Sequence, residues 1–405
     1  LGGAVVMAMS AGINFYGFAA FFVPLSAEFG WSRGVLSGVF ALSRLEGGLL
    51  GPVEGFLVDK FGPRRMMLIG IPLMGVGYIL LSRIDSLVAL YVVYIFTITL
   101  GASFGTFAPV GAAVANWFHK RRSRALGIMM SGVAVGGAVF LPLLGILISS
   151  YGWRTTSVIS GFIVIAIGLP VSLVMRHKPE QYGMVPDGID LTIDGTGQAE
   201  DHEEISLTGL ESLRTSAFWL IGLSNTMRGL VTAGLTIHFV AMMVDRGFAF
   251  TVATSLLGSV ALLSIIGRLG MAWLGDIFDK RYLLAGTMLI MSATLLGMGQ
   301  VENLLVMGIL LLLYAICYGG SIVLPVALQA EYFGRHSFAT IRGLMQSVQT
   351  AGMLVGPIFA GFVYDATGSY SWAFVGFAVA GLLAGLFLLG ARKPNSPQRY
   401  NDLAV

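Results

Sequence analysis

Charge is scarce in this chain. Of its 405 residues only 11% are Asp, Glu, Lys or Arg, against about 25% in a soluble domain. A soluble protein of this length needs two or three cores, each inside a polar shell, and the sequence lacks the residues to build those shells. Cysteine is reduced to Cys317, in an apolar segment, which excludes an internal disulfide and gives no reason to expect redox chemistry. The five histidines are scattered, so no metal-ligand spacing is present and no metal is expected. No glycine-rich phosphate-cradling loop occurs; ATP is excluded as a power source, no cofactor is expected, and no enzyme motif is found. The dyad alternation of barrel strands is missing as well. No secretory signal peptide is legible. The chain opens at Leu1 rather than methionine, so a few cytoplasmic residues are expected ahead of it.

Apolar residues fill the space that charge leaves: 56% of the chain is AVILMFWYC, with a mean hydropathy of +0.83. Long continuous apolar runs indicate an integral membrane protein, because a membrane helix needs about 20 such residues. Twelve runs can be placed, near 2–27, 34–58, 66–82, 87–116, 123–149, 155–176, 216–243, 251–275, 282–299, 303–330, 338–364 and 371–391. The expectation is an all-α membrane protein with twelve transmembrane helices in two pseudo-symmetric six-helix bundles. Residues 1–176 form the first bundle, 177–215 a linker, 216–391 the second bundle and 392–405 a tail. Nine of the 21 acids fall in 177–215, a polar, aromatic-poor composition that reads as a solvated linker.

Lys and Arg are unevenly divided. Seventeen of the 24 lie on the side of the linker and both termini, four on the other, and Arg44, Arg228 and Arg268 lie within spans. Positive charge is retained in the cytoplasm, so both termini and the linker are expected there, in a multi-pass protein of the bacterial inner membrane. The cluster from Lys120 to Arg124 is too short for nucleic acid and suits anionic lipid headgroups. The halves also repeat. Asp59 and Asp276 are 217 residues apart, Pro109 and Pro325 216, and Pro142 and Pro357 215, the mark of a duplicated six-helix unit.

The stretch from Gly55 through Asp59 to Gly62-Pro63-Arg64-Arg65 places a carboxylate at a helix end beside a tight turn and cations. It resembles the signature loop of the major facilitator superfamily, with a second copy at Asp276. The resemblance implies a conformational latch, made by Asp59, Arg64, Arg65, Arg124 and Asp276, that closes the cytoplasmic side. Phe29-Gly30-Trp31-Ser32-Arg33 and Trp117-Phe118-His119 onward to Gly127 resemble the monocarboxylate transporter family and its bacterial relatives. Known members carry lactate, pyruvate and similar acids, often with a proton, and relatives exchange oxalate for formate.

Ionisable groups inside a bilayer are costly and are functional candidates by default. Arg268, in span 8, matches the arginine that binds the anion in that family, and a guanidinium suits a carboxylate bidentately. Snorkelling toward headgroups is its structural alternative. This chain departs from the family's animal members at Ser264, where they carry an acid, and at Phe18-Ala19-Ala20, where they carry a lysine. The lysine that oxalate exchangers hold in span 11 is also missing. One cation then remains, which favours a singly charged substrate.

Asn225 and Arg228 share a face of span 7. Arg228 can bind substrate or pair with Glu46 or Glu54, while Arg44 and Glu46, two residues apart, point to different faces. Tyr318 and Tyr314 supply hydroxyls in span 10, and Ser103 and Phe107 are wall candidates in span 4. His238, Glu46 and Glu54 are the candidate proton carriers, with His238 titrating nearest neutrality. The expected substrate-binding set is Arg268, Tyr318, Asn225, Tyr314 and Phe107. The sequence thus suggests a monomeric secondary transporter of a small organic anion, with a proton as partner and lipid around it. An oxalate/formate-type exchanger, a drug-type exporter and a non-transporting receptor are the rivals.

Overall fold

A computed structural model describes residues 1–118, 122–176, 207–334 and 338–394. Among them the chain is almost wholly helical. The twelve long helices are α1 (Gly2–Phe29), α2 (Arg33–Phe61), α3 (Pro63–Leu81), α4 (87–117), α5 (122–151) and α6 (153–174), then α7 (Ser216–Asp245), α8 (Phe250–Ile277), α9 (Lys280–Met298), α10 (Leu304–Phe333), α11 (Phe338–Thr367) and α12 (Ser371–Gly390). Helices α5 and α6 run on without a loop, but Gly152 at φ 77° turns the chain between them. The 50-residue segment Ala125–Val174 would span about 75 Å as one rod, more than twice a bilayer's hydrocarbon core. Two spans are therefore required.

Local chemistry sets the helix ends. Gly30, at φ 65°, closes α1, and the Ser32 hydroxyl then accepts from the Val35 N–H to start α2. Gly62, at φ 83°, and Pro63 separate α2 from α3, since proline sits comfortably in a first helical turn. Ser86, Thr215 and Asn303 cap α4, α7 and α10. Of the twelve helices α2 is the poorest in apolar character, because Arg44, Glu46 and Glu54 interrupt it.

Glycines let backbones meet within each half. Gly132 and Gly136 of α5 lie against Ala4 and Ala8 of α1, while Gly352 and Gly356 of α11 lie against Thr226 and Leu230 of α7. These are the same pairing six helices apart, and close approach of small residues is how helices associate where lipid removes the hydrophobic drive. The two halves meet through α2 with α11 and, equivalently, α5 with α8.

Two features depart from the sequence reading. The segment read as a solvated linker ends in structure: Leu207 is buried, its N–H donates to the Phe333 carbonyl, and Thr208 and Glu211 form a capping box for the short helix Gly209–Leu213. Apolar Leu207 draws these residues onto the second half despite the acidic composition upstream. Residues 177–206 lie outside the described part. Second, α1 and α4 each contain a π-helical turn, Ala11–Tyr16 and Tyr94–Thr99, a feature that periodicity does not reveal and that often marks functional sites.

Candidate functional site

Arg268 sits two turns inside the linker end of α8. Gly267 packs on the Ile316 carbonyl, and a Cβ on Gly319 would overlap the Ser264 carbonyl, so α8 and α10 are pressed together at this level. That contact brings Tyr318, beside Gly319, to the Arg268 level. Tyr314 and Tyr318 stack one turn apart, with ring centres 6.1 Å apart at 10°. The Tyr314 hydroxyl reaches Thr232 of α7. Arg228, also on α7, lies within electrostatic range of both tyrosines.

The first half contributes Tyr16, the last residue of the α1 π turn. Its side chain lies within electrostatic range of Tyr318, Arg268 and Tyr314, and its ring covers Gly137 of α5. The sequence reading missed Tyr16. The available signal was the polar pair Asn14 and Tyr16 inside an otherwise apolar span. Of the expected set, the structure brings Arg268, Tyr318 and Tyr314 together and adds Arg228. Asn225 is buried one turn from Arg228, with no polar contact to the tyrosines among the described residues.

The Nε atoms of Arg268 and Arg228 are both buried without an acceptor, and no ion pair joins either arginine to a carboxylate among the described residues. Arg228 therefore does not pair with Glu46 or Glu54. Two half-buried arginines near two phenols form a positive centre with no ion-paired carboxylate among the described residues, and a buried charge is costly until a partner arrives.

A cavity of about 470 Å³ adjoins the first half, lined by Asn14, Arg44, Glu46, Ser103 and Phe107 and faced by Gln346 of α11. Phe107 is thus a wall of this cavity. Arg44 lies over the rings of Phe15 and Phe40, at 5.2 and 4.8 Å, and its Nε meets the Ser43 hydroxyl at 3.4 Å. Glu46 accepts from Ser103 at 3.2 Å.

His238 lies elsewhere, between the halves near their far ends. Its Nε2 faces the Ser37 hydroxyl and the Pro357 carbonyl, its Nδ1 faces the Tyr370 hydroxyl, all at 2.9 Å, and Phe22 stands edge-on to the ring. Arg33 binds Asp245 through two hydrogen bonds and donates to Tyr370 at 2.8 Å. Asp365 of α11 accepts from the N–H groups of Arg33 and Gly34, capping α2 from the opposite half. Sequence reading did not find this cross-half lock, because its members are distant in the chain and carry no shared motif.

The linker face is different. Arg64, Arg65 and Asp276 are exposed, and no ion pair among the described residues joins them. The side chains of Asp59 and Arg124, the other expected latch members, lie outside the described residues. Arg342, Gln346 and Phe107 are also exposed. Among the described residues the far side is joined across the halves, and the linker side is the more open.

A model of the Major Facilitator Superfamily matches residues 4–349 and 217–402. The chain belongs to the Major Facilitator Superfamily. It is a multi-pass membrane transporter of that superfamily and not an enzyme. It is similar to Monocarboxylate transporter 13 of Rattus norvegicus, at 28% identity over 386 residues, 92% of this chain and 82% of that protein. The Bos taurus protein of the same name is 29% identical over 383 residues, with the same coverage. The Oxalate:formate antiporter of Oxalobacter formigenes is 26% identical over 218 residues, 54% of this chain and 48% of that protein. Among solved structures, a bacterial homologue of the human lysosomal transporter Spinster, in an inward-facing and occupied conformation, superposes with a TM-score of 0.73 at 16% identity, covering 96% of this chain and 94% of that one. The superfamily's twelve-helix fold, with two pseudo-symmetric bundles, is the fold described above.

Proposed function

We propose that this superfamily member moves a small monocarboxylate of the lactate or pyruvate type across the bacterial inner membrane, together with a proton, by alternating access. The observation that carries the reading is Arg268: a guanidinium with a buried, unpartnered Nε, beside Tyr16 of one half and level with Tyr318 of the other. A carboxylate bound there would be gripped bidentately, and its α-oxygen would meet a phenol. Ligation across both halves lets the anion favour the occluded state, which is what a transported substrate must do. The similarity to monocarboxylate transporters supports the same cargo.

The excess of Lys and Arg at the linker face supports cytoplasmic termini and a cytoplasmic linker, so the open face would look into the cell. On this reading the bundles 1–176 and 216–391 rock against each other as a monomer, exposed Arg64, Arg65 and Asp276 belong to a latch that is disengaged, and Asn225 and Phe107 line the path. Proton carriage falls to Glu46, Glu54 or His238.

Arg228 favours a second reading. The sequence suggested one cation at the centre, but the structure gathers two, and two unpaired cations suit a dianion. Exchange of the oxalate/formate type is therefore the alternative. Uptake of labelled lactate, pyruvate, oxalate and formate into proteoliposomes tests both: lactate or pyruvate uptake upholds the first, oxalate–formate exchange the second, and transport of none of the four overturns the carboxylate assignment.

A further inference from the structure

Two acids of α2 lie apart from the Arg268 centre, and their surroundings define a site of their own. Glu46 accepts from Ser103 of α4 through Oε2, and its Oε1 is buried with no hydrogen-bond partner. Glu54, only 6% exposed, likewise has a buried Oε1 with no hydrogen-bond partner, and the two acids lie within electrostatic range of each other.

No ion pair joins either acid to a cation among the described residues. Arg44, the nearest, lies over Phe15 and Phe40, within electrostatic range of Tyr94 and Glu46 but not ion-paired to the glutamate. The cavity beside Glu46 receives Asn14 from α1 and Gln346 and Thr350 from α11, all uncharged. Two neighbouring carboxylates with no ion-paired cation among the described residues repel one another where water is scarce, and a proton on one of them relieves that repulsion.

His238 is unsuited to that task in this conformation. The Pro357 carbonyl can only accept, so Nε2 carries the ring hydrogen. Nδ1 meets the Tyr370 hydroxyl, whose oxygen already accepts from Arg33. Both ring nitrogens are engaged in closing the far side.

We infer that Glu46, held by Ser103, and the neighbouring Glu54 form a carboxylate pair that binds the transported proton, in the first half of the molecule and apart from the Arg268 centre. The inference rests on the proposed carboxylate transport and names its coupling site. The proton adds to one carboxylate oxygen of the pair from one side of the membrane and leaves from it to the other, while the anion occupies Arg268.

The test has two parts. In reconstituted wild-type protein, infrared difference spectra recorded across a pH series should show a protonated carboxyl band, lost in Glu46→Gln and in Glu54→Gln and shifted in Ser103→Ala. Wild-type vesicles should accumulate labelled lactate with the pH gradient, about tenfold per pH unit for one proton. The two Gln variants should lose that accumulation while still exchanging lactate for lactate, which also shows that they are folded. Retention of gradient-driven accumulation in both Gln variants would overturn the inference, as would accumulation driven by sodium instead of protons. The same follows if no carboxyl band in wild type depends on these residues. If the band behaves as expected but none of lactate, pyruvate, oxalate and formate is transported, the cargo assignment fails and the proton site stands.

Discussion

Arg33 of α2 and Asp245 of α7 hold each other in a bidentate pair, with contacts of 2.5 and 2.7 Å across the two halves. The guanidinium also lies 3.7 Å from the Tyr364 ring centre, and its backbone N–H is capped by Asp365. Every partner of Arg33 named here belongs to the other half, so opening the far side must break all of these contacts together.

Asp245→Asn should therefore weaken far-side closure. Side-chain exposures of 14% and 30% place the pair between surface and buried, and a loss of about 1–2 kcal/mol is expected. That moves the open-to-closed ratio roughly 5–30-fold. Spin labels on the far ends of α2 and α11 should show a longer-distance population growing. An unchanged distribution would mean that the pair is ornamental.

His238→Phe removes three polar contacts at the same closure and leaves Pro357 and Tyr370 short of a partner. The far side should open more readily, as in Asp245→Asn. The dependence of lactate accumulation on the pH gradient should persist. Loss of that dependence in His238→Phe, with closure unaffected, would return His238 to the role of proton carrier.

Arg268→Gln should abolish carboxylate binding while the protein remains folded, because no structural ion pair is broken. Deleting a charge-assisted contact of this kind costs roughly 2–5 kcal/mol. Arg268→Lys should restore little, since an ammonium does not reproduce the planar fork. Isothermal titration with lactate, beside a thermal melt, separates binding from folding. Near-normal affinity in the Gln variant would sink the assignment.

Arg228→Gln decides between cargo classes. A dianion carrier should lose oxalate binding far more than lactate binding, whereas a monocarboxylate carrier should change little in its preference. Competition of the two acids against one labelled tracer reads the ratio directly.

Gly319→Val should harm both stability and transport. A Cβ there overlaps the Ser264 carbonyl and crowds the Arg268 backbone, so α8 and α10 must separate. Overpacking of this kind costs about 1–3 kcal/mol, and the separation takes Arg268 away from the Tyr318 level. A melting temperature and uptake rate equal to wild type would show that the contact yields without cost.

Much of this protein was legible in one dimension, for a physical reason. A bilayer demands about 20 apolar residues per span and retains positive charge on one side, so span count, duplication and charge asymmetry are written as local composition. Arg268 and Tyr318 stand out as candidates in the sequence as well, because a charge or phenol in an apolar run is conspicuous wherever the helix sits. Composition misjudged the end of the linker, where a single buried Leu207 outweighs the acids before it.

The tertiary structure decided what touches what. Whether Arg228 pairs with Glu46 or faces Tyr318 depends on which helices adjoin. That in turn follows from glycine contacts such as Gly319 on Ser264 and Gly352 on Thr226, which no periodicity specifies. Tyr16 enters the site through a π turn that breaks the 3.6-residue rhythm. The closure made by Arg33, Asp245, Tyr370 and His238 joins residues more than a hundred positions apart. Spans are fixed by the solvent each residue must face, which the sequence records locally. The site and the closure are fixed by packing between spans, which exists only once the chain has folded.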